Sequence, residues 1–356
     1  MNNLRNDEKV VFALRELYGK YGYTQYKMNK FEEYDLYAKN KDFLVSGNVI
    51  TFTDTNGRLL ALKPDVTLSI IKNGEDIQNG LQKVYYNENV YRVSGATHAF
   101  REIMQVGLEC VGAVDTYAVC EVLLLAEASL ERISDDSVLD VSHLGVVSNA
   151  ISALGVGEAA SAEIVKCIGE KNRHGISEIC KREAANERAT EQILRLVSTY
   201  GTLCEVLPQL IKLAEDYPEN TAISELITIC RALGNEKKIN IDFSVTSNMN
   251  YYNGVVFCGF VRGIPTGVLS GGQYDSLMCK LGKKSRAIGF AVYLDLLEDL
   301  SYEREEFDVD VILVYGEKDS VNDIKAAADR LIVEGKSVSV QRCIPEKLRA
   351  REIVRL

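Results

Sequence analysis

The sequence predicts an α+β fold: an antiparallel sheet with helices flanking it. Strand-like runs come as neighbouring pairs rather than alternating singly with helices, which is the pattern of hairpins and not of βαβ units. Two of these runs are joined by Asn56-Gly57, and Gly and Asn are the residues that take the positive φ of a primed hairpin turn cheaply. From about 145 to 235 strand signals give way to an Ala-, Glu-, Leu- and Ile-rich stretch that reads as nearly continuous helix, an insertion into the sheet-forming chain.

The elements follow in order. Residues 7–20 make an amphipathic helix, with Val10, Val11, Leu14, Leu17 and Tyr18 at helical spacing and Gly22 beyond its end. Residues 49–53 and 58–62 form the hairpin, Pro64 stops its second strand, and a helix starts at Thr67. Strands are expected at 82–86, 89–93 and 105–111, a helix over 116–132 and a short strand at 138–141. Gly155, Gly157, Gly169 and Gly175 punctuate the helical insertion. Strands return at 239–245, 254–260 and 267–270, and a helix is expected over 289–297. An acidic polar linker (298–307) then leads to a strand (310–315), a helix (321–334) and a strand (337–341). The expected organisation is a core over residues 1–300, with its insertion at about 145–235, and a short or incomplete C-terminal α/β domain over 308–356. The second part is small for an independent domain.

Composition excludes several classes. No apolar stretch approaches the ~20 residues that span a bilayer, and the polar start MNNLRNDEKV has no signal-peptide character. Nine cysteines are scattered singly without a C-x-x-C pair, which reads as reduced thiols in a cytoplasm rather than disulfides or a zinc site. Three histidines (His98, His143, His174), none closely spaced, argue against a metal site, and no cofactor motif is present. The net charge of -10 lends nucleic-acid binding no support; the short basic run Lys280, Lys283, Lys284 and Arg286 reads as solvated surface.

Four segments are chemically unusual. LLALKPDVT (59–67) delivers Asp65 and Thr67 at a helix start, where an Asp taken alone reads as a helix cap. NVYRV (89–93) sets Arg92 in an apolar strand, on a solvent face or in a cleft. REIMQVGLECVG (101–112) carries Gln105, Gly107 and Glu109 at period two, so all three share one strand face: the floor of a polar pocket or a solvent-facing edge. NYYNGVVF (250–257) and LSGGQYDSL (269–277) supply Tyr251, Tyr252, Gly271 and Gly272. In a strand the two tyrosines would face opposite sides. The two glycines permit close backbone approach to a ligand or simply make a turn.

In this order, and separated by a helical insertion, these segments resemble the class II aminoacyl-tRNA synthetase fold and its histidyl-tRNA synthetase branch, from about residue 5 to about residue 300. NVYRV with FREIMQVGLECVG is similar to motif 2 and LKPDVT to the substrate-binding turn. NYYNGVVF and SGGQYDSL are similar to the histidine-specific segments, and AIGFAVYLDLL (287–297) to motif 3. The resemblance implies that Asp65, Thr67 and Gln105 hold an amino acid's ammonium, and that Glu109 with one of Tyr251 and Tyr252, preferably Tyr252, reads its imidazole. Arg92, Gly271 and Gly272 are candidates for further ligand contacts. An acceptor and a hydroxyl facing the two ring nitrogens would select histidine.

The departures shape the expected function. Ser247 stands where the synthetases carry an arginine that contacts substrate carboxylate and phosphate, and Leu296 where motif 3 carries its γ-phosphate arginine. The motif 2 loop, Ser94–Phe100, is short and lacks the usual Glu and basic residues. Phosphoryl chemistry is mostly positioning and charge neutralisation, so these losses remove most of what the fold contributes. Arg92 alone is a poor clamp for ATP, and the C-terminal unit is too small for an anticodon-binding domain. Paralogues of this kind are the regulatory subunits of short-form ATP phosphoribosyltransferase. The resemblance therefore implies a non-catalytic, histidine-binding chain that acts with a catalytic subunit, as a homodimer within a hetero-oligomer, in the first step of histidine biosynthesis. The alternatives are a divergent histidyl-tRNA synthetase, a free-standing amino acid-activating enzyme, or an RNA-binding module.

Overall fold

A computed structural model describes residues 6–40, 49–93, 99–234, 238–246, 251–299 and 307–356. The chain divides into two compact units, residues 1–300 and 301–356.

The first unit opens with α1 (Asn6–Lys20), β1 (Thr24–Gln25), β2 (Phe31–Glu33), α2 (Tyr34–Ala38), β3 (Thr51–Thr53), β4 (Leu59–Leu62) and α3 (Thr67–Asn73). Val10, Leu14, Leu17 and Tyr18 of α1 enter the main core, as their helical spacing predicts. β2, β4 and β3 form a small antiparallel sheet. Its β3–β4 hairpin turns at the Asn-Gly step: Gly57 has φ 81°, and its N–H donates to the Asp54 carbonyl at 3.1 Å.

Next come β5 (Leu81–Val93), β6 (Phe100–Gly112), α4 (Thr116–Glu131) and β7 (Ser137–His143). The runs expected as two strands at 82–86 and 89–93 are one strand of 13 residues. Asn87 and Glu88 read as a break but sit in the ladder opposite Val106 and Gln105. The insertion comprises α5 (Leu144–Ala153), α6 (Glu158–Gly169), α7 (Arg173–Arg182), α8 (Glu187–Ser198), β8 (Tyr200–Thr202), α9 (Leu203–Asp216) and α10 (Ala222–Leu233). β8 interrupts what reads as continuous helix; its three residues are too few to show a period, and Gly201 at φ 147° lets the chain turn there.

β9 (Ile239–Asp242), β10 (Val255–Val261), β11 (Leu269–Gln273), α11 (Asp275–Lys280) and β12 (Arg286–Tyr293) complete a nine-stranded sheet, ordered β1-β5-β6-β12-β11-β10-β7-β9-β8. It is antiparallel except where β1 meets β5 and β7 meets β9. One expectation fails here. Residues 286–293, which overlap the expected helix at 289–297, are strand, and Leu294–Asp299 turn as a 3-10 helix. The run is apolar almost throughout, and such a run does not distinguish a buried strand from a buried helix. β12 lies between β6 and β11, with the core on one face and the small residues Ala287, Gly289 and Ala291 on the other, which is why it lacks a polar alternation. On one face of the sheet, Val106, Leu108 and Cys110 of β6 and Ile288, Phe290 and Val292 of β12 join the main core with α1 and α4. The opposite face is left for a cleft.

The second unit holds β13 (Val309–Val314), α12 (Val321–Val333), β14 (Val338–Gln341) and β15 (Ala350–Arg355) as a three-stranded parallel sheet ordered β14-β13-β15. The expected strand–helix–strand is present, and β15 adds a strand that the sequence conceals. Its residues, AREIVR, hold too few apolar side chains to show a strand period. Among the described residues no helix is long and apolar enough to cross a membrane, and no group of three or more His, Cys, Asp or Glu could hold a metal.

Candidate functional site

The cleft is built on the ladder between β6 and β12. Period-two alternation sets Gln105, Gly107 and Glu109 on one face of β6, opposite Tyr293, Ala291 and Gly289 of β12 respectively. The approach to α3 adds Asp65, Val66 and Thr67. β5 adds Tyr86 and Arg92, and Tyr251, Tyr252, Ser270 and Tyr274 close the wall. The cleft and the solvent at its mouth together span about 500 Å³ of space free of protein atoms.

Glu109 is its most constrained group. It is 2% exposed, and its two oxygens accept hydrogen bonds from the Thr67 hydroxyl at 2.6 Å and the Tyr274 hydroxyl at 2.5 Å. Burial pushes its pKa up to about 8, the two hydroxyls working against the rise and Asp65 adding to it. Asp65 is both things the sequence allows: it accepts the Leu68 N–H at 2.8 Å, as a cap does, and its carboxylate lines the cleft. Burial raises its pKa, opposed by the Leu68 N–H and by the Arg92 guanidinium. Arg92 is half-buried and donates from Nε to the Pro64 carbonyl at 3.2 Å. It is the single cation among the described lining residues, against the carboxylates of Asp65 and Glu109.

Of the residues singled out from the sequence, Asp65, Thr67, Arg92, Gln105, Glu109, Tyr251 and Tyr252 meet in this cleft. The two tyrosines do not face opposite sides, because they precede β10 and lie outside any strand. Both rings line the cleft, 4.8 Å apart and edge-to-face. Gly271 and Gly272 are not part of the lining. They lie inside β11, where a Cβ on Gly271 would come 2.4 Å from the Gly289 carbonyl oxygen, and one on Gly272 2.7 Å from that of Val255. Their smallness serves strand packing. Ser270, which precedes the two glycines, does line the cleft, while Tyr86, Tyr274, Gly289 and Tyr293 escape sequence reading. Tyr274 lies inside a quoted segment, and its signal is a phenol whose buried hydroxyl needs a partner.

Ser247 lies outside the described residues, as do positions 94–98 of the short loop. Leu296 is described: it sits on the 3-10 helix and packs against the main core.

A family model described as histidyl-tRNA synthetase matches residues 2–297. A histidine–tRNA ligase from Methanocaldococcus jannaschii is 28% identical over 342 residues, covering 93% of this chain and 81% of that protein. An ATP phosphoribosyltransferase regulatory subunit from Bacillus cereus is 26% identical over 351 residues, covering 94% of this chain and 82% of that protein. The crystal structure of an ATP phosphoribosyltransferase regulatory subunit/histidyl-tRNA synthetase from Bacillus halodurans C superposes with a TM-score of 0.78 at 20% identity, over 100% of this chain and 96% of its own. The expected class II synthetase-like α+β architecture is thus the fold observed. With sheet, cleft and family model in agreement, the chain belongs to the histidyl-tRNA synthetase family.

Proposed function

We propose that this chain is the non-catalytic regulatory subunit of a short-form ATP phosphoribosyltransferase, binding L-histidine in the cleft and passing that state to a catalytic partner. The chemistry of the cleft carries this reading: two carboxyl groups, Asp65 and Glu109, share it with a single guanidinium, Arg92. A free amino acid brings an ammonium, a carboxylate and a polar ring, and matches that set. A nucleoside triphosphate brings several negative charges and needs more cations than Arg92 supplies. The packing of Leu296 against the core, where the synthetase motif ends in arginine, points the same way.

In this reading Asp65, Thr67 and Gln105 hold the ammonium, Arg92 faces the carboxylate, and Glu109 with Tyr252 reads the ring. A buried site that hydrogen-bonds a polar ring rejects analogues lacking it, since its own groups would be left unpaired. Feedback control then requires that histidine bind the inhibited state of the complex more tightly than the active one. The chain works without a cofactor, as a homodimer within a hetero-oligomer in the cytoplasm. The similarity to the Bacillus cereus regulatory subunit supports the partner assignment.

The second reading, amino acid activation, draws on the similarity to the Methanocaldococcus jannaschii ligase. Co-expression with a short-form catalytic subunit separates the two. Regulation requires a complex whose phosphoribosyl transfer depends on this chain and falls with histidine. Histidine-dependent ATP–pyrophosphate exchange by the isolated chain would establish activation instead.

A further inference from the structure

The floor of the cleft changes abruptly along its length. Opposite Glu109, Gly107 and Gln105 of β6, the residues of β12 run Gly289, Ala291, Tyr293. Ser270 of β11 pairs with Ala291. The floor beside Glu109 therefore carries almost no side chain, while at the Gln105 end it carries a phenol. Tyr293 is half-buried, and its hydroxyl shares a 2.8 Å hydrogen bond with the Ser270 hydroxyl. The two side chains make a bar joining β12 to β11 along the cleft wall. Ser270 pairs with Ala291, two residues along β12 from Gly289, so the latch stands roughly 7 Å along the strand from the level of Glu109 at about 3.3 Å per strand residue.

The same sheet face continues sideways from Ser270 across the strands: Cys258 of β10 pairs with Ser270, Asp140 of β7 with Cys258, and Asn240 of β9 with Asp140. The latch of Tyr293 to Ser270 stands at the start of that row.

We infer that Tyr293, held by Ser270, sets the length of ligand the cleft accepts: a free α-amino acid fits between Glu109 and the bar, and one extended through its carboxyl group does not. This deepens the histidine-binding reading and rests on it. With the ring at Glu109 and the ammonium at Asp65, Thr67 and Gln105, the carboxylate faces Arg92, which lies close enough to Tyr293 to act on its phenol, so an amide or ester extension would run into Tyr293. The chain then senses free histidine and ignores histidine already joined to something else.

The test is calorimetric titration of the full chain with L-histidine and with the dipeptide L-histidyl-glycine, which keeps the ring and ammonium and displaces the carboxylate. The wild type should bind histidine and show at least about tenfold weaker binding of the dipeptide, the scale on which a filled pocket rejects extra atoms. Tyr293→Ala should shift the ratio of histidine to dipeptide affinity about tenfold towards the dipeptide, whatever the change in histidine affinity itself. Tyr293→Phe, which keeps the ring, should still exclude the dipeptide. Equal binding of the two ligands by the wild type overturns the length limit without any variant. So does a Tyr293→Ala protein that binds histidine with that ratio unmoved. A wild type that binds neither ligand overturns the histidine reading itself, and the length limit with it.

Discussion

Gly289 stands directly opposite Glu109 in the β6–β12 ladder, and a Cβ on it would lie 1.8 Å from the Glu109 carboxylate. The carboxylate occupies the space that any other residue at 289 would need. Its position in the cleft is therefore fixed from below by a missing side chain, and from the sides by the hydroxyls of Thr67 and Tyr274.

Gly289→Ala should accordingly destabilise the chain by about 1–3 kcal/mol, the usual range for overpacking. The new methyl also meets the Leu108 carbonyl oxygen at 2.5 Å, and backbone cannot swing aside. Thermal unfolding measures the loss. In whatever folded protein remains, histidine binding should fall because Glu109 is displaced. A variant with wild-type stability and affinity would contradict the contact.

Glu109 should leave a signature in the pH dependence of stability of the unliganded protein. Its folded pKa, about 8, lies above its ordinary value of 4.5, so the folded state holds a proton that the unfolded chain has released. Its contribution is complete below about pH 4.5 and is lost as pH rises through about 8. Asp65, also raised by burial, acts in the same direction. Glu109→Gln should flatten that decline without abolishing it, as denaturant titrations at several pH values would record. An unchanged slope would mean that Glu109 is not strained by burial.

Tyr274→Phe removes one of the two hydroxyls that donate to Glu109. Leaving a buried carboxylate oxygen short of a donor costs about 1–3 kcal/mol. The Tyr274 hydroxyl lowers the Glu109 pKa, so its loss should push that pKa further up and extend the decline in stability to higher pH, its onset unchanged. The shift in midpoint distinguishes a lost hydrogen bond from a simple packing defect, which would lower stability equally at every pH.

A stabilising change is also expected, far from the cleft. Ala184 holds φ 51° just past the end of α7, where the Ala185 N–H returns to the Cys180 carbonyl at 2.9 Å and the Ala184 N–H to that of Lys181 at 3.2 Å. This is the bond pattern of a Schellman turn, whose left-handed position ordinarily takes glycine. Ala184→Gly should raise stability by about 0.5–1 kcal/mol, because the left-handed strain of alanine exceeds the extra freedom glycine gains on unfolding. A lower melting temperature would count against it.

What the sequence discloses depends on how local the signal is. The β3–β4 hairpin is written in two adjacent residues, and the period-two row Gln105, Gly107, Glu109 is complete within one strand. Both can be read without knowing what packs beside them. β12 cannot be read this way. Its strand character comes from being sandwiched between β6 and β11, residues distant in the chain, and its apolar run carries no trace of those neighbours. The same holds for Tyr274, Tyr293 and Ser270. Each joins the cleft through a partner on another strand or helix, so their roles become visible only when the strands are in register. Tyr251 and Tyr252 mislead for the opposite reason: a local rule, strand alternation, applied to residues that lie just outside the strand.

β6 also addresses two readers at once. Its odd-numbered residues, Gln105, Gly107 and Glu109, turn to the cleft, and its even-numbered ones, Val106, Leu108 and Cys110, turn to the main core. Substitutions on one side leave the other side's vocabulary untouched. A lineage carrying this strand could exchange one ligand preference for another, or lose a chemistry altogether, by rewriting alternate letters while the remaining letters kept the molecule folded.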